Sequence, residues 1–562
     1  MQLMNTTNIE PAPLSIVEEK WNRYDTAQII SDFETRDPSI SQRGFAEMSD
    51  VPRSTLRHWL NRKNCIDADP VLIEFFENPV GIAFLHRLVT ATHVAFTKAG
   101  AASIHNVSDF LERAGLSQFV GASYSSQRRV SAQLNEHIIQ FGKNEDERLA
   151  LQMPAKTITA AEDETFHPQT CLVSIEPVAN YILAEKYATN RETKTWNEVI
   201  GDVLKRFPVK IIQVTSDQGR SLISHAIKGL NAHHSPDCFH VSHEIGKGTC
   251  GALMSGIKKS EKEYNDATKQ TQHIVQQKED FDGADKRSPG RRPNFEKRID
   301  QSKEQEQQAK AILDQASLNF ETVRSAKAEI GEVYHPYNLK TGEKQDSKTV
   351  MDLLTDCFVR IHTATANLTD RCKKHVDKAQ RVVDSMVATI AFYFQMIDIC
   401  LDNLRLSDND KHLMHSYLIP GHYLKLAAEK ERDVDRKKNI LQKARELLSM
   451  VDRTGGPDNT CSDCEIGELE KAAKNCAQLF QRSSSCVEGR NAQLALHHQG
   501  IHRLGDKQLK ALTVIHNYYI KRRDGTTPAE RFFEAKPKDL FDYLLSHMDY
   551  PMRPRNQLKL AG

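Results

Sequence analysis

The spacing of apolar residues changes twice along the chain. From Val71 to Phe141 they recur three and four positions apart, through VLIEFF, IAFLHRLVTATHVAF and VSDFLERAGL, which predicts a run of amphipathic helices. After GKNEDERLALQMP the period shortens. KTITAAEDETF, CLVSIEPV and NYILAEKYA are rich in β-branched and aromatic residues and joined by short connections, so they predict an antiparallel meander. A helix at TWNEVIGDVLKRF and a compact apolar strand, VKIIQVT, follow. Between Lys258 and about Asn475 no strand signal survives. There KKSEKEYNDATKQTQHIVQQKEDF and FEKRIDQSKEQEQQAKAILDQASLNFETVRSAKAEI carry a thin apolar stripe on charged helices, with SPGRRPN at the turn, the pattern of a helical hairpin or coiled coil. Buried helices at VMDLLTDCFVRIHTATANL and VVDSMVATIAFYFQMIDICLDNL come next, then a closing helix in SSSCVEGRNAQLALHH and an aromatic helix with a basic turn in LTVIHNYYIKRRDGTTPAERFF. The predicted fold class is mixed α+β: helices first, then an α/β core split by a large all-α segment.

Ahead of this lies SISQRGFAEMSDVPRSTLRHWLNRK, residues 39–63, with the spacing a helix-turn-helix needs. Ala46 is small where two helices cross, and Asp50 tolerates the positive φ that the turn requires. Val51, Leu56, Trp59 and Leu60 supply a buried face, and Pro52 suits the start of the second helix, where its missing N–H has no partner to lose. That helix leaves Arg53, Ser54, Arg57, His58, Asn61, Arg62 and Lys63 for bases and phosphates in a major groove. An ordinary helical hairpin with a basic face is the competing reading. Arg128 and Arg129 near a later helix start mark a possible second DNA-binding element within residues 67–152, against a plain helical connector.

Composition narrows the picture by exclusion. A chain of 562 residues has room for about three or four domains. Lys and Arg number 76 against 75 Asp and Glu, so global charge identifies no partner and a nucleic-acid surface must be local. No run of 18 apolar residues occurs, and the start NTTNIEPAP has neither a basic nor an apolar leader region, so a soluble, cytoplasmic protein with no membrane role is expected. Eleven cysteines scattered from Cys65 to Cys486 do not read as a disulfide framework. Cys461 and Cys464 form one C-x-x-C, but the second tight pair of a structural zinc site is missing, and thiols packed between helices are the simpler account.

Three isolated acids carry the candidate chemistry. Asp163 lies on the first strand run, Asp217 just after VKIIQVT, and Glu488 just inside the helix of SSSCVEGRNAQLALHH. Each has a structural alternative. Ser485 and Glu488 fit a capping box, Asp217 fits a turn or N-cap, and Asp163 sits between Glu162 and Glu164 as one of three charges. Twenty residues beyond Asp217, Asp237 and His240 form a D-x-x-H pair.

The order β-β-β-α-β then helix, with one acid on the first strand and another after the fourth, is the layout of an RNase H-like fold. On these residues the chain resembles a DDE transposase of the bacterial insertion-sequence kind. The D-x-x-H pair is similar to an element of hAT and Mutator-like transposases, and the all-α segment to the insertion that separates the second and third acids in several groups. The resemblance implies catalysis by Asp163, Asp217 and Glu488 with two Mg²⁺ ions, Mn²⁺ substituting, about 4 Å apart. Asp163 bridges both ions, Asp217 holds one and Glu488 the other, with Asp237, His240 and Asn491 in support. It implies double-stranded DNA as partner, both transposon ends and target, and a homodimer or larger assembly near the bacterial nucleoid. Arg291 and Arg292 at the hairpin tip, Arg490, and Lys521, Arg522 and Arg523 complete the expected DNA contacts. The expected domains are 1–66 (helix-turn-helix), 67–152 (helical), 153–257 (first part of the core), 258–475 (helical insertion), 476–540 (closing part) and 541–562 (tail). A domesticated transposase that only binds DNA and an RNase H-like nuclease without strand transfer are the rival functions.

Overall fold

The computed structural model describes residues 21, 23–61, 69–166, 169–284, 293–454, 463–500 and 504–552. The chain forms two compact units. One comprises residues 1–156, 164–210 and 486–562, the other 157–163 and 211–485.

The first unit opens with three short helices, α1 (Arg23–Thr35), α2 (Gln42–Met48) and α3 (Arg53–Asn61). Phe45, Ala46, Val51 and Leu56 are buried between them, with Trp21, Ile29, Phe33, Ile40, Trp59 and Leu60 packed around. Ser41 caps α2 by accepting from the Gly44 N–H at 3.2 Å. Asp50 adopts φ 49°, the left-handed turn anticipated from its identity. The sequence pattern gave no warning of α1, whose Phe33 completes the small core through an edge contact with Phe45 at 5.2 Å.

Four helices follow: α4 (Pro70–Glu77), α5 (Pro79–His93), α6 (Ile104–Arg113) and α7 (Tyr124–Ala150). Then comes the sheet region, β1 (Lys156–Phe166), β2 (Thr170–Glu176), β3 (Tyr181–Tyr187), α8 (Thr193–Arg206), β4 (Val209–Ser216), α9 (Arg220–Ser224) and β5 (His233–Pro236). The strands form one sheet in the order β3-β2-β1-β4-β5. β2 and β3 pair antiparallel, while β4 and β5 pair parallel, with Ser216 opposite Pro236. The Lys156 N–H donates to the Pro208 carbonyl at 3.1 Å, so neighbours β1 and β4 start at the same end and run together. β5 escaped the sequence reading because HHSP has no β-branched residue. Its strand character comes from pairing with β4.

The second unit is mostly helical. α10 (Cys238–Asp282) and α11 (Phe295–Val333) form the expected long hairpin, tied by Thr271 to Ser302 at 2.9 Å and Thr268 to Glu306 at 2.9 Å. α10 starts about twenty residues before the expected insertion boundary, because Asp237 caps it directly behind β5. Next are α12 (Ser347–Ala364), α13 (Asp370–Gln380), α14 (Val383–Asn403), α15 (Asp408–Leu413), α16 (Ile419–Lys430), α17 (Val434–Thr454) and α18 (Asp463–Gln478). They enclose a core that includes Ile330, Tyr334, Phe358, Ile390, Tyr393, Met414, Tyr423 and Phe480. Beside the edge strand β5, His233 stacks on Phe392 at 4.4 Å and meets Thr389 Oγ1 at 2.9 Å.

The chain ends with α19 (Ser485–Gly500), α20 (Asp506–Tyr518), α21 (Pro528–Phe533) and α22 (Leu540–His547). The Asn517 side chain of α20 accepts from the Ile182 N–H at 2.9 Å and donates to its carbonyl at 3.1 Å, mimicking a further strand on edge strand β3. Asp146 of α7 accepts from Tyr181 at 2.6 Å and Tyr518 at 2.5 Å, with Arg206 at 3.3 Å. α7 and α20 approach closely at Gly142, where an added Cβ would stand 2.4 Å from Val514 Cγ2. Gly142→Ala is therefore expected to destabilise this unit by about 1–3 kcal/mol, read as a lower denaturant midpoint, and an unchanged midpoint would contradict the close packing.

Among the described residues, two stretches, Pro79–Ala99 and Asp370–Asn403, are long and apolar enough to cross a membrane by composition. About half of each apolar window is buried inside the fold, as in the core helices of a packed domain.

Candidate functional site

Three strands that run together deliver three aspartates to one end of the sheet. Parallel strands present their carboxyl ends on the same side, and that is where ligands collect in open α/β sheets. Asp163 lies near the end of β1, Asp217 follows β4 and Asp237 follows β5. All three belong to the second unit.

The neighbours of Asp163 distinguish it from the other acids on its strand. Glu162 is fully buried, its carboxylate 3.6 Å from His225 Nε2. Glu164 belongs to the first unit, where its side chain is 6% exposed and engages Arg191 at 3.3 Å and the Trp196 indole N–H at 3.4 Å. Asp163 is half-buried. Asp217 accepts from the Gly219 N–H at 2.8 Å, so the turn reading of this residue holds, while the half-buried carboxylate remains within reach of water. Behind it His234 is buried, its Nε2 2.9 Å from Ser216 Oγ. Burial holds the His234 imidazole below its ordinary range, although the Asp217 and Glu162 charges oppose this.

Asp237 is committed to structure. Its N–H donates to the Ser216 carbonyl at 3.0 Å, one carboxylate oxygen accepts from the Phe239 N–H at 2.8 Å, and the other accepts from the Ser484 hydroxyl. The Cys238 N–H donates to the Arg482 carbonyl at 2.9 Å. The Gln481 carbonyl accepts from Gln213 at 2.7 Å and Ser235 at 2.9 Å. Residues 481–484 are thereby fastened to β4 and β5, and α19 begins at the next residue with Glu488 in its first turn. His240 Nε2 stands 3.8 Å from Asp237 and has no hydrogen-bond partner among the described residues. Asn491 is half-buried on α19, and its side-chain oxygen likewise lacks a partner among the described residues.

The expected DNA contacts fare unequally. Arg53, Ser54, Arg57, His58 and Asn61 are exposed on α3, beside an open cleft of about 610 Å³ lined by Arg43, Glu47, Asp50 and Arg53. Lys521, Arg522 and Arg523 are exposed in the turn after α20, and Arg128 and Arg129 near the start of α7. Arg62, Lys63, Arg291, Arg292 and Cys461 lie outside the described residues, as does the side chain of Cys464. Arg490 must be struck from the DNA-facing set. Its side chain is 4% exposed and forms a two-pronged ion pair with Glu185 of β3, at 2.8 and 2.6 Å. Thr513 donates to the same carboxylate at 2.7 Å. Nothing in the sequence around Arg490 marked it as buried, because its partner lies 305 positions away. Close to this pair, His497 and His516 are pushed down to about 4, chiefly by burial, with the Arg490 charge adding to it.

Residues 414–560 match the model of a family of unknown function (DUF6399). The match begins within the helical part and runs through Glu488 and the basic turn. No curated protein matches the chain, and no solved structure matches it.

Proposed function

We propose that this chain is a DNA transposase that binds the ends of its element through α3 and cuts and joins DNA at the carboxylates Asp163, Asp217 and Glu488. The observation that carries the reading is the delivery of Asp163 and Asp217 to one end of neighbouring, co-directional strands. An RNase H-like core accounts for that arrangement, and the strand-strand-strand-helix-strand order ahead of a long helical segment supports it. The all-α segment then separates Glu488 from its partners in sequence.

Carboxylates are the hard oxygen donors that Mg²⁺ takes, with substrate phosphate and water left to complete the shell. Bound there, Mg²⁺ would lower the barrier by neutralising charge on the attacking and leaving oxygens. Asp163, Asp217 and Glu488 are the residues that would hold it. Asp237 acts differently, as a positioning residue that anchors residues 481–484 and so the start of α19. The attacking oxygen, from water in cleavage or a DNA 3′-hydroxyl in joining, bonds to phosphorus as the opposite P–O bond breaks. No side chain is covalently modified. Arg53, Arg57 and Asn61 orient the duplex by phosphate and base contacts in the major groove.

The test uses duplexes from the DNA flanking the chain's own gene. Mg²⁺-dependent nicking at short inverted repeats, abolished by EDTA, supports the reading. Flanks without such repeats, or binding with no cleavage, would favour a protein that only binds DNA. Cleavage without joining would favour a nuclease.

A further inference from the structure

The first unit buries an amine that neither the sheet nor the carboxylates use. Val94–Ala99 continues α5 as a π-helical turn, a wide turn that is frequent at functional positions. Lys98 in that turn is 2% exposed, and its Nζ is sealed from solvent with no hydrogen-bond partner among the described residues. An ammonium group in that position has three protons to place and no acceptor, which is costly. Burial pushes the Lys98 amine down to about 8, with no carboxylate opposing it, so at neutral pH it is still mostly charged.

The groups around Lys98 add no negative charge. His93 is buried with its Nε2 2.7 Å from Gln127 Oε1. The Gln127 amide nitrogen donates to the Gly121 carbonyl at 2.7 Å, so its oxygen is left to accept from His93. On α19, His497 is buried too, and its Nδ1 is sealed and without a partner among the described residues. Burial first, and then the Lys98 charge among others, holds both imidazoles down to about 4, so both are neutral at pH 7. Glu185, the carboxylate that acts on His497, is already engaged by Arg490 and Thr513. The end of α19 closes on the same turn, since an added Cβ at Gly500 would stand 2.4 Å from the Ala101 carbonyl oxygen.

We propose that the Lys98 ammonium, with the Nδ1 proton of His497, holds a small inorganic anion between the extension of α5 and the end of α19. Such an ion supplies the negative charge that this part of the unit lacks, and accepts the protons that no side chain accepts. Because the nitrogens that hold it are closed to solvent, the ligand is an ion of chloride or phosphate size and not the backbone of a nucleic acid. The site is independent of the carboxylates Asp163 and Asp217, and the proposal does not rest on the transposase reading.

The experiment is denaturant unfolding of the full-length protein, followed by circular dichroism, with sodium gluconate replaced stepwise by chloride or by inorganic phosphate at constant ionic strength. An anion that binds only the folded chain raises the midpoint with its concentration. Above its dissociation constant, each further tenfold rise is expected to lower the unfolding equilibrium constant of the unaltered protein about tenfold. Lys98→Met, of similar length and without charge, is expected to lose that dependence and to unfold at a higher midpoint than the unaltered protein in gluconate. Lys98→Arg should keep the dependence, and His497→Phe should need roughly tenfold more anion for the same shift, the loss of one hydrogen bond to a charged group. General salt effects on burial act on every variant alike, so the difference between proteins is the readout. A response to chloride alone assigns a halide, and a response to phosphate alone an oxyanion. The proposal is overturned if the unaltered protein unfolds at the same midpoint in all three salts, or if Lys98→Met retains the full anion dependence.

Discussion

Asp217→Asn is expected to reduce Mg²⁺-dependent cleavage of end-containing DNA by roughly a thousandfold, the loss that follows when several kcal/mol of charge stabilisation at the transition state disappears. The substitution is mild for the fold. The Asn side-chain oxygen can still accept from the Gly219 N–H, as Asp217 Oδ1 does at 2.8 Å, so the turn into α9 is retained and only the charge is removed. Circular dichroism and DNA affinity should therefore match the parent. A variant that keeps its fold, binds DNA and still cleaves normally would return Asp217 to the role of a turn residue.

The second large effect concerns stability. Glu185→Gln leaves the Arg490 guanidinium charged, buried and without its anion, and is expected to destabilise the first unit by about 3–5 kcal/mol. Replacing both members together, Glu185→Met with Arg490→Met, should recover most of that loss, because the penalty comes from the stranded charge and not from the absent attraction. Chemical denaturation followed by circular dichroism measures both. If the single and double variants unfold at the same midpoint, the two residues do not act as a pair.

What the sequence revealed, and what it hid, follows from the range of the interactions involved. Asp50 could be placed in a left-handed turn from its own identity and its spacing from Ala46 and Leu56, all local information. The strands from Lys156 to Ser216 were visible for the same reason, as was the charged hairpin of α10 and α11. β5 was invisible, because four residues reading HHSP become a strand only when β4 lies beside them. The role of Asp237 was half visible. Its neighbourhood with His240 stood out, but its ties to Ser216 and Ser484 depend on chain segments 21 and 247 positions away. Arg490 misled for a related reason. A basic residue at i+2 from a candidate catalytic acid reads as a phosphate contact until the fold supplies Glu185. The sequence singles out Asp163 among three neighbouring acids, whereas the burial of Glu162 beside His225 and the Arg191 contact of Glu164 depend on chain segments that only the fold brings near.

The β1 carboxylate is the residue on which the catalytic set turns. The direct measurement is Mg²⁺-dependent cleavage of end-containing DNA by Asp163→Asn, run beside the unaltered protein and with folding checked by circular dichroism. The account predicts that Asp163→Asn binds the ends and leaves them intact. Cleavage by Asp163→Asn at the parental rate would contradict the assignment of the β1 carboxylate, and with it the catalytic set.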